Sequence, residues 1–223
     1  MQLNDHINRF VDHDIKPEDV LSPMDPPEKF APSTVVKVPY EKMAKPLQLL
    51  MTDHKSYLDI LTRFEDALIQ FKKENWIFNN AISKVFKEFF LFVDTDLVQH
   101  HLKEEKVLFP LLQERFLQSG EHSPGDDPRT PIDIMEDDHI KLGQTNCLVF
   151  NLLGIGSRVD DAKSRHIIFE HAYNQGQDLV ERMKLHIFKE DEVVFPLAQK
   201  LITAAEFETM AGKMTCSHKP HTA

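Results

Sequence analysis

Two stretches of the chain combine a histidine and a glutamate at the same spacing. The first is "HHLKEEKVLFPLLQE", residues 100–114, and the second is "HIFKEDEVVFPLAQK", residues 186–200. Aligned without gaps at an offset of 86 residues, they superpose His100 on His186 and Glu104 on Glu190. Residues i and i+4 share one face of an α-helix, so each stretch can present an imidazole beside a carboxylate. Nitrogen and oxygen ligands in this combination are typical of sites for first-row metal ions.

A shorter match upstream of each stretch adds another histidine. Asp53 and His54 in "MTDHKSYL" align with Asp138 and His139 in "MEDDHIKL" at an offset of 85 residues. We therefore interpret the chain as a duplicated helical hairpin, in which the first helix supplies a histidine and the second supplies a His-x-x-x-Glu pair. Six residues are predicted to converge as metal ligands: His54, His100, Glu104, His139, His186 and Glu190.

Six polar groups in the middle of an apolar bundle need a common partner. A buried carboxylate is driven to protonate and a buried imidazole needs a hydrogen-bond acceptor, and metal ions remove both penalties. The six groups exceed the four ligands of a single zinc ion and suit a pair of first-row ions. The carboxylates can bridge the pair, and with an oxo or hydroxo bridge about two octahedral positions stay open for a small ligand.

Several neighbouring polar residues have two interpretations. The repeat does not duplicate His101, so His101 and Glu105 are predicted to form a pair at the rim of the bundle, with a role behind the ligands as the alternative. Asp53 and Asp138 either orient an imidazole or face solvent. Asp96 either approaches the site as a ligand or proton relay, or lies on a solvated face.

Amphipathic helices must carry these residues. Pro110 is expected to kink the second helix rather than end it, because "LLQERF" continues the apolar pattern. The fold class predicted is all-α, an up-down four-helix bundle built from a duplicated helical hairpin. Apolar residues recur at helical spacing over about 43–72, 79–118, 131–154 and 161–200, and a short C-terminal helix is predicted at about 203–213.

The bundle is predicted to form one domain with two irregular ends. Residues 1–40 contain six prolines and are expected to form an irregular N-terminal arm. The bundle is predicted over 41–213, and a flexible tail over 214–223.

Composition and charge exclude several classes of protein. The net charge of −10 over 223 residues would repel nucleic acid and anionic membranes. The two cysteines do not form a spaced redox or zinc pair. The N-terminus does not have the pattern of a signal peptide, and no apolar run approaches the roughly 20 residues that span a bilayer. We therefore expect a cytoplasmic protein that binds neither nucleic acid nor a membrane.

At these residues the sequence resembles the hemerythrin-like family, the HHE cation-binding domains. The resemblance covers residues 45–213 and rests on the pattern H…HxxxExxxxFP, which occurs twice. It implies a non-haem centre of two iron ions, with Glu104 and Glu190 as bridging carboxylates and the four histidines as terminal ligands; manganese and zinc are the alternatives to iron. By analogy it also implies binding of O2 or NO, or sensing of iron or redox state.

The third helix departs from the pattern of oxygen-carrying hemerythrins, which supply two histidines from it, one turn apart. Here Gly143 lies one turn beyond His139 and cannot be a ligand. The set is therefore similar to the four-His, two-Glu centres of repair-of-iron-centres proteins, although residues 1–40 lack the cysteines of their N-terminal segment. A helical glycine costs about 1 kcal/mol relative to alanine. Gly143 is hypothesised to leave space beside one iron, with close helix packing as the alternative.

Three functions are compatible with these observations. The first is a diiron protein that binds a small diatomic ligand such as O2 or NO, or senses iron or redox state, and signals through an unidentified protein partner. The second is a diiron enzyme acting on NO or peroxide, or an iron donor for Fe-S repair, which the two open positions would favour. The third is a structural or iron-storing bundle.

Overall fold

A computed structural model describes residues 38–216, and every regular element in that range is helical. A 3-10 turn, Tyr40–Lys42, precedes the first long helix. The all-α bundle with a short C-terminal helix is confirmed, and the helix bounds lie within three residues of those predicted. The predicted arm, apart from residues 38–40, and the tail beyond residue 216 lie outside the described residues. The helices are α1 (Lys45–Lys73), α2 (residues 80–119), α3 (Pro131–Gly156), α4 (residues 162–201) and α5 (Ala204–Cys216).

Side-chain caps determine where three of the helices begin. The Asn79 side chain accepts a hydrogen bond from the backbone N–H of Ile82 at the start of α2. Thr130 and Asp133 form a reciprocal capping box at the start of α3, and Asp161 caps α4. Each cap satisfies backbone N–H groups that have no partner within the helix. The starting points help to fix which residues face inward further along each helix.

The helices α2 and α4 continue through their ligand motifs by means of π-helical turns. Two of these turns begin at the motif glutamates and end two residues before Pro110 and Pro196. A proline lacks an N–H group and its ring crowds the carbonyl one turn earlier, and the wider turn accommodates both effects. The second helix therefore continues past Pro110, as predicted. The π-helical turns are Val93–Leu97 and Glu104–Leu108 in α2, and Glu190–Val194 in α4.

The register between α3 and α4 is set by a close contact near their connection. A β-carbon added at Gly156 would lie 2.4 Å from Cε1 of Phe169, so the two helices approach here as only glycine allows. The same number of residues, 17, separates His139 from Gly156 and Phe169 from His186. The two histidines therefore lie level, and α4 begins roughly two turns beyond the end of α3.

Apolar packing fills the bundle on both sides of the polar residues. At one end Phe64 stacks on Phe89, with 3.7 Å between ring centroids. At the other end α5 packs on α1 and on the π-helical turn Glu104–Leu108, and Arg115 of α2 pairs with Glu206 of α5. None of the helices within residues 38–216 has the length and apolar character needed to cross a bilayer.

Candidate metal centre

The structure brings the six predicted ligands together at the middle of the bundle. Their exposed fractions are 7% or less. The Nε2 atoms of His54 and His100 lie 3.0 Å apart, and those of His139 and His186 lie 3.1 Å apart. The level pairing of His139 and His186 follows from the Gly156 contact described above.

The two glutamates each lie between the histidine pairs. Glu104 places Oε1 3.3 Å from Nε2 of His100 and Oε2 3.5 Å from Nε2 of His139. Glu190 places Oε1 3.3 Å from Nε2 of His186 and Oε2 3.2 Å from Nε2 of His54. Each carboxylate therefore offers one oxygen to each pair, which is the arrangement of a ligand that bridges two ions.

The prediction that His101 lies at the rim was wrong. Its ring stacks on that of His139, with 3.6 Å between centroids. It offers a ring nitrogen to a group with Glu104, His139 and His186 in which all ligand atoms lie within 4.8 Å of one another. At 100° per residue, Glu104 lies between His100 and His101 on the helix, so all three can face the cluster.

The cluster thus consists of two unequal sets of histidines joined by two glutamates. We call His54 and His100 the two-histidine set, and His101, His139 and His186 the three-histidine set. Sequence reasoning missed His101 because the repeat places Ile187 at the equivalent position. The signal for it was its angular position on the helix, about 60° from Glu104.

Carboxylates outside the cluster face the Nδ1 atoms of four of the histidines. A carboxylate that accepts the Nδ1 proton leaves the Nε2 lone pair directed inward and fixes the orientation of the ring. Two lone pairs about 3 Å apart need a proton or a metal ion between them. The four contacts are His54 to Asp191 at 2.8 Å, His139 to Glu105 at 2.8 Å, His100 to Asp53 at 3.3 Å, and His186 to Asp138 at 3.6 Å.

The outer carboxylates resolve three of the interpretations that the sequence left open. Asp53 and Asp138 do face imidazoles. Each contacts the histidine on the next helix rather than the histidine that follows it in the sequence. Nζ of Lys103 lies 3.1 Å from Asp53, and Nζ of Lys189 lies 2.8 Å from Asp138. Glu105 stands behind His139 rather than pairing with His101 at a rim, and the repeat signals this role because Glu105 aligns with the equally acidic Asp191.

Asp96 lies on a solvated face. Its side chain is exposed, and its carboxylate accepts a hydrogen bond from Thr95. The contact that points inward is its backbone carbonyl, which accepts from the hydroxyl of Tyr57 at 3.3 Å. The ligand and proton-relay interpretations of Asp96 therefore do not apply.

The electrostatics of the cluster favour positive charge at its centre. Burial alone would lower the pKa of His54, but the hydrogen bond to Asp191 and the nearby Glu190 raise that pKa to about 10. Burial would likewise lower the pKa of His100, which Glu104 and Asp53 raise to about 9. For His101, burial and the neighbouring His139 lower the pKa to about 2. The neutral His101 ring is in the form that binds metal.

The unpartnered oxygens of Glu104 and Glu190 fit a pair of cations. Both residues are fully buried, and none of their four carboxylate oxygens has a hydrogen-bond partner among the described residues. Burying an unpaired carboxylate costs several kcal/mol, so such groups need counter-charge. Five histidines and two carboxylates exceed the four ligands of one zinc ion and suit two ions.

The sequence allowed two interpretations of Gly143: it leaves space for a ligand, or it allows close helix packing. A β-carbon added at Gly143 would meet no atom within 4 Å. The residue instead lines a cavity of about 80 Å³ that also borders His101 and His139. Close packing is therefore ruled out as the reason for this glycine.

A helical bundle with a buried cluster of histidines and glutamates defines a class of metal-binding proteins. The chain belongs to the family described as the hemerythrin HHE cation binding domain, whose family model matches residues 45–198. The chain is accordingly a metal-binding protein. No significant match to a curated protein or to a solved structure was found. The similarity to repair-of-iron-centres proteins stays a prediction, and the fifth histidine weakens it.

Proposed function

We propose that the chain holds two iron ions bridged by Glu104 and Glu190, and that it binds a small diatomic ligand, O2 or NO, at one of them. One ion takes the two-histidine set as terminal ligands and the other takes the three-histidine set. The observation that carries the proposal is this unequal division of histidines between two otherwise equivalent positions.

The count of ligands leaves one position open. With two carboxylate oxygens and the oxo or hydroxo bridge expected from the sequence, an ion held by the three-histidine set would have six ligands, the number that an octahedral ion takes. An ion held by the two-histidine set would have five. A bound ion with a vacant position can take up a small ligand without losing a protein ligand.

The surroundings of Ile187 support binding of an uncharged ligand at the open position. Ile187 in the second half of the repeat aligns with His101 in the first. It lines a small cavity together with His54, His100 and Tyr57. Its side chain is 6% exposed and cannot bind a metal. Five uncharged residues, Ile187 among them, line this cavity beside the histidines and Glu190, and their apolar surface favours a neutral diatomic molecule over an ion.

The fifth histidine also bears on the alternative functions. Without His101 as a ligand, about two coordination positions of the ion pair stay open, which favours an enzyme acting on NO or peroxide. With His101 as a ligand one position stays open, which favours reversible binding or sensing of a ligand. A role as iron donor for Fe-S repair is disfavoured as well, because His101 as a third histidine holds the ion at the three-histidine set more firmly. The cytoplasmic location and the unidentified protein partner remain part of the proposal.

The proposal is tested by closing the open position. Anaerobic reconstitution with ferrous iron should give about two irons per chain, and NO should bind with a new absorption or EPR signal. In Ile187→His, which supplies a fifth protein ligand to fill the sixth position at the two-histidine set, iron content should stay unchanged and the NO signal should be lost. The matched control is His171→Leu, since His171 is an exposed histidine on the same helix.

Three outcomes would overturn the proposal. Less than about one metal per chain, with no uptake on reconstitution, would contradict the metal centre itself. NO binding that persists in Ile187→His would contradict the assignment of the open position. Catalytic turnover of NO or peroxide by the wild type would favour the enzyme.

A further inference from the structure

The cavity beside Gly143 leads from the surface of the bundle toward the three-histidine set. It lies between α2 and α3, with Leu179 and Met183 of α4 at its back. Its volume of about 80 Å³ exceeds the roughly 10 Å³ of the cavity beside Ile187. At its outer end Val98 is 44% exposed, and at its inner end His139 is 7% exposed. The two cavities share four lining residues: Leu97, His101, Leu142 and Met183.

The walls of this cavity suit an uncharged guest. Besides His101 and His139, the described residues that line it are apolar except for Gly143 and Asn146, and include no aspartate, glutamate, lysine or arginine. An ion would lose its hydration here without gaining a counter-charge. The volume is enough for a guest of about two or three heavy atoms, and well below that of a cavity that holds benzene.

Asn146 provides the cavity with a polar group that lacks a partner. It lies about one turn beyond Gly143 on α3, its exposed fraction is 9%, and its Oδ1 has no hydrogen-bond partner among the described residues. A buried polar atom without a partner costs about 1–3 kcal/mol. The amide oxygen can accept only from a ligand that carries an N–H or O–H group, and the amide N–H of the same side chain can donate to a ligand that carries none.

We propose that this cavity is the entry and holding site for an uncharged ligand of about two or three heavy atoms on its way to the metal centre. Gly143 keeps the entrance open, and Asn146 supplies the polar group of the site, whose amide N–H donates to a ligand that can only accept, such as O2 or NO. The inference rests on the proposed function and adds to it the route of access and the charge of the ligand.

Xenon tests the cavity without any metal. Crystals of the metal-free protein pressurised with xenon should show a xenon atom between Gly143 and Asn146. The site should be lost in Gly143→Leu and retained in Gly154→Leu. Gly154 is a matched control because it lies on the same helix and an added β-carbon would also meet open space. Absence of xenon from the wild-type cavity would overturn the proposal.

The rate of NO association tests the route in the reconstituted protein. Gly143→Leu should slow association at least about tenfold, with iron content unchanged, whereas Gly154→Leu should leave the rate unchanged. Gly143→Leu should fold, because leucine forms helices better than glycine at an exposed position. Equal rates in wild type and Gly143→Leu would overturn the route while leaving the metal centre and ligand binding intact.

The role of Asn146 has a separate readout. After a laser flash releases NO, some of it rebinds from within the protein, and this fraction should fall in Asn146→Leu because the amide N–H that donates to NO is gone. An unchanged fraction would contradict the role of Asn146 as the holding group. If instead the wild-type protein takes up no iron, the proposed function fails, whatever the xenon result.

Discussion

At the scale of single residues, the carboxylates that contact Nδ1 of the histidines determine how each ring is oriented. Glu105 accepts from Nδ1 of His139 at 2.8 Å, and Asp191 does the same for His54. Each carboxylate holds one ring in the orientation and tautomer that direct Nε2 to the centre. These acidic residues are positioning residues, since they act on the metal only through a histidine.

Replacing Glu105 should weaken metal binding without removing a ligand. We expect Glu105→Ala to lower iron affinity about 10- to 100-fold, the usual effect of losing a group that orients a metal-binding histidine. Glu105→Gln keeps an oxygen acceptor and should recover most of the loss. Competition with a chelator of known affinity gives the measurement. Glu208→Gln, an exposed position on α5, is the control, and equal affinities in Glu105→Ala and wild type would contradict the role.

The sequence predicted the histidines of the cluster that the two halves share and missed the one that they do not share. His100 and His186 were found because the motif occurs twice. His101 was missed because the comparison assumed that both halves use the same positions. Whether a histidine faces a cluster depends on the helix opposite it, and a single stretch of sequence does not contain that information.

At the scale of the helices, one glycine places two histidines at the same height along the bundle. Gly156 allows α3 to approach Phe169 closely, and this contact fixes His139 opposite His186. The sequence pattern predicted the helix bounds well, because caps and apolar periodicity are local. It did not predict which residues of α3 and α4 lie level, because the level of two helices depends on a contact between them.

The contact at Gly156 can be tested against a neighbouring glycine. Gly156→Ala should destabilise the fold by about 1–3 kcal/mol, since the added methyl group would overlap a Phe169 ring that is 1% exposed. Gly154→Ala adds the same group to the same helix in open space and should stabilise by up to about 1 kcal/mol. Urea unfolding of both variants measures the difference. Equal stabilities would mean that the helices separate at little cost.

The π-helical turns are the feature of the helices that periodicity could not predict. A π-helical turn inserts one residue relative to a regular helix, so the inward face shifts by about 100° beyond it. The prolines at 110 and 196 indicated that α2 and α4 are irregular near these residues. The irregularities are the π-helical turns Glu104–Leu108 and Glu190–Val194. Both turns begin at a glutamate of the cluster, which places the disturbance next to it.

At the scale of the whole molecule, stability should depend on metal and pH in a linked way. Without metal, His54 and His100 have pKa values of about 10 and 9, above the ordinary 6.5. Their protonation therefore stabilises the fold fully below about pH 6.5, and this stabilisation is lost as the pH rises through 9 to 10. With metal bound the histidines must be neutral, so protons compete with the metal and the stabilisation by metal weakens as the pH falls.

The stability of the metal-free protein and the added stabilisation by metal should consequently change with pH in opposite directions. We expect the midpoint of thermal unfolding of the metal-free protein to fall between about pH 6.5 and 10, and the stabilisation by metal to grow over the same range. Scanning calorimetry of the loaded and chelator-treated protein measures both. A difference between the two forms that stays constant with pH would contradict the link between histidine protonation and metal binding.

The bridging contacts of the cluster connect the first helical hairpin with the second. His54 of the first half uses Glu190 and Asp191 of the second, and His139 of the second half uses Glu104 and Glu105 of the first. Two copies of a single hairpin, related by a two-fold axis, would make the same exchange. The chain is therefore built like a homodimer whose subunits have been joined, and the change between His101 and Ile187 is one that such a dimer could not make, because its two copies would have to be identical.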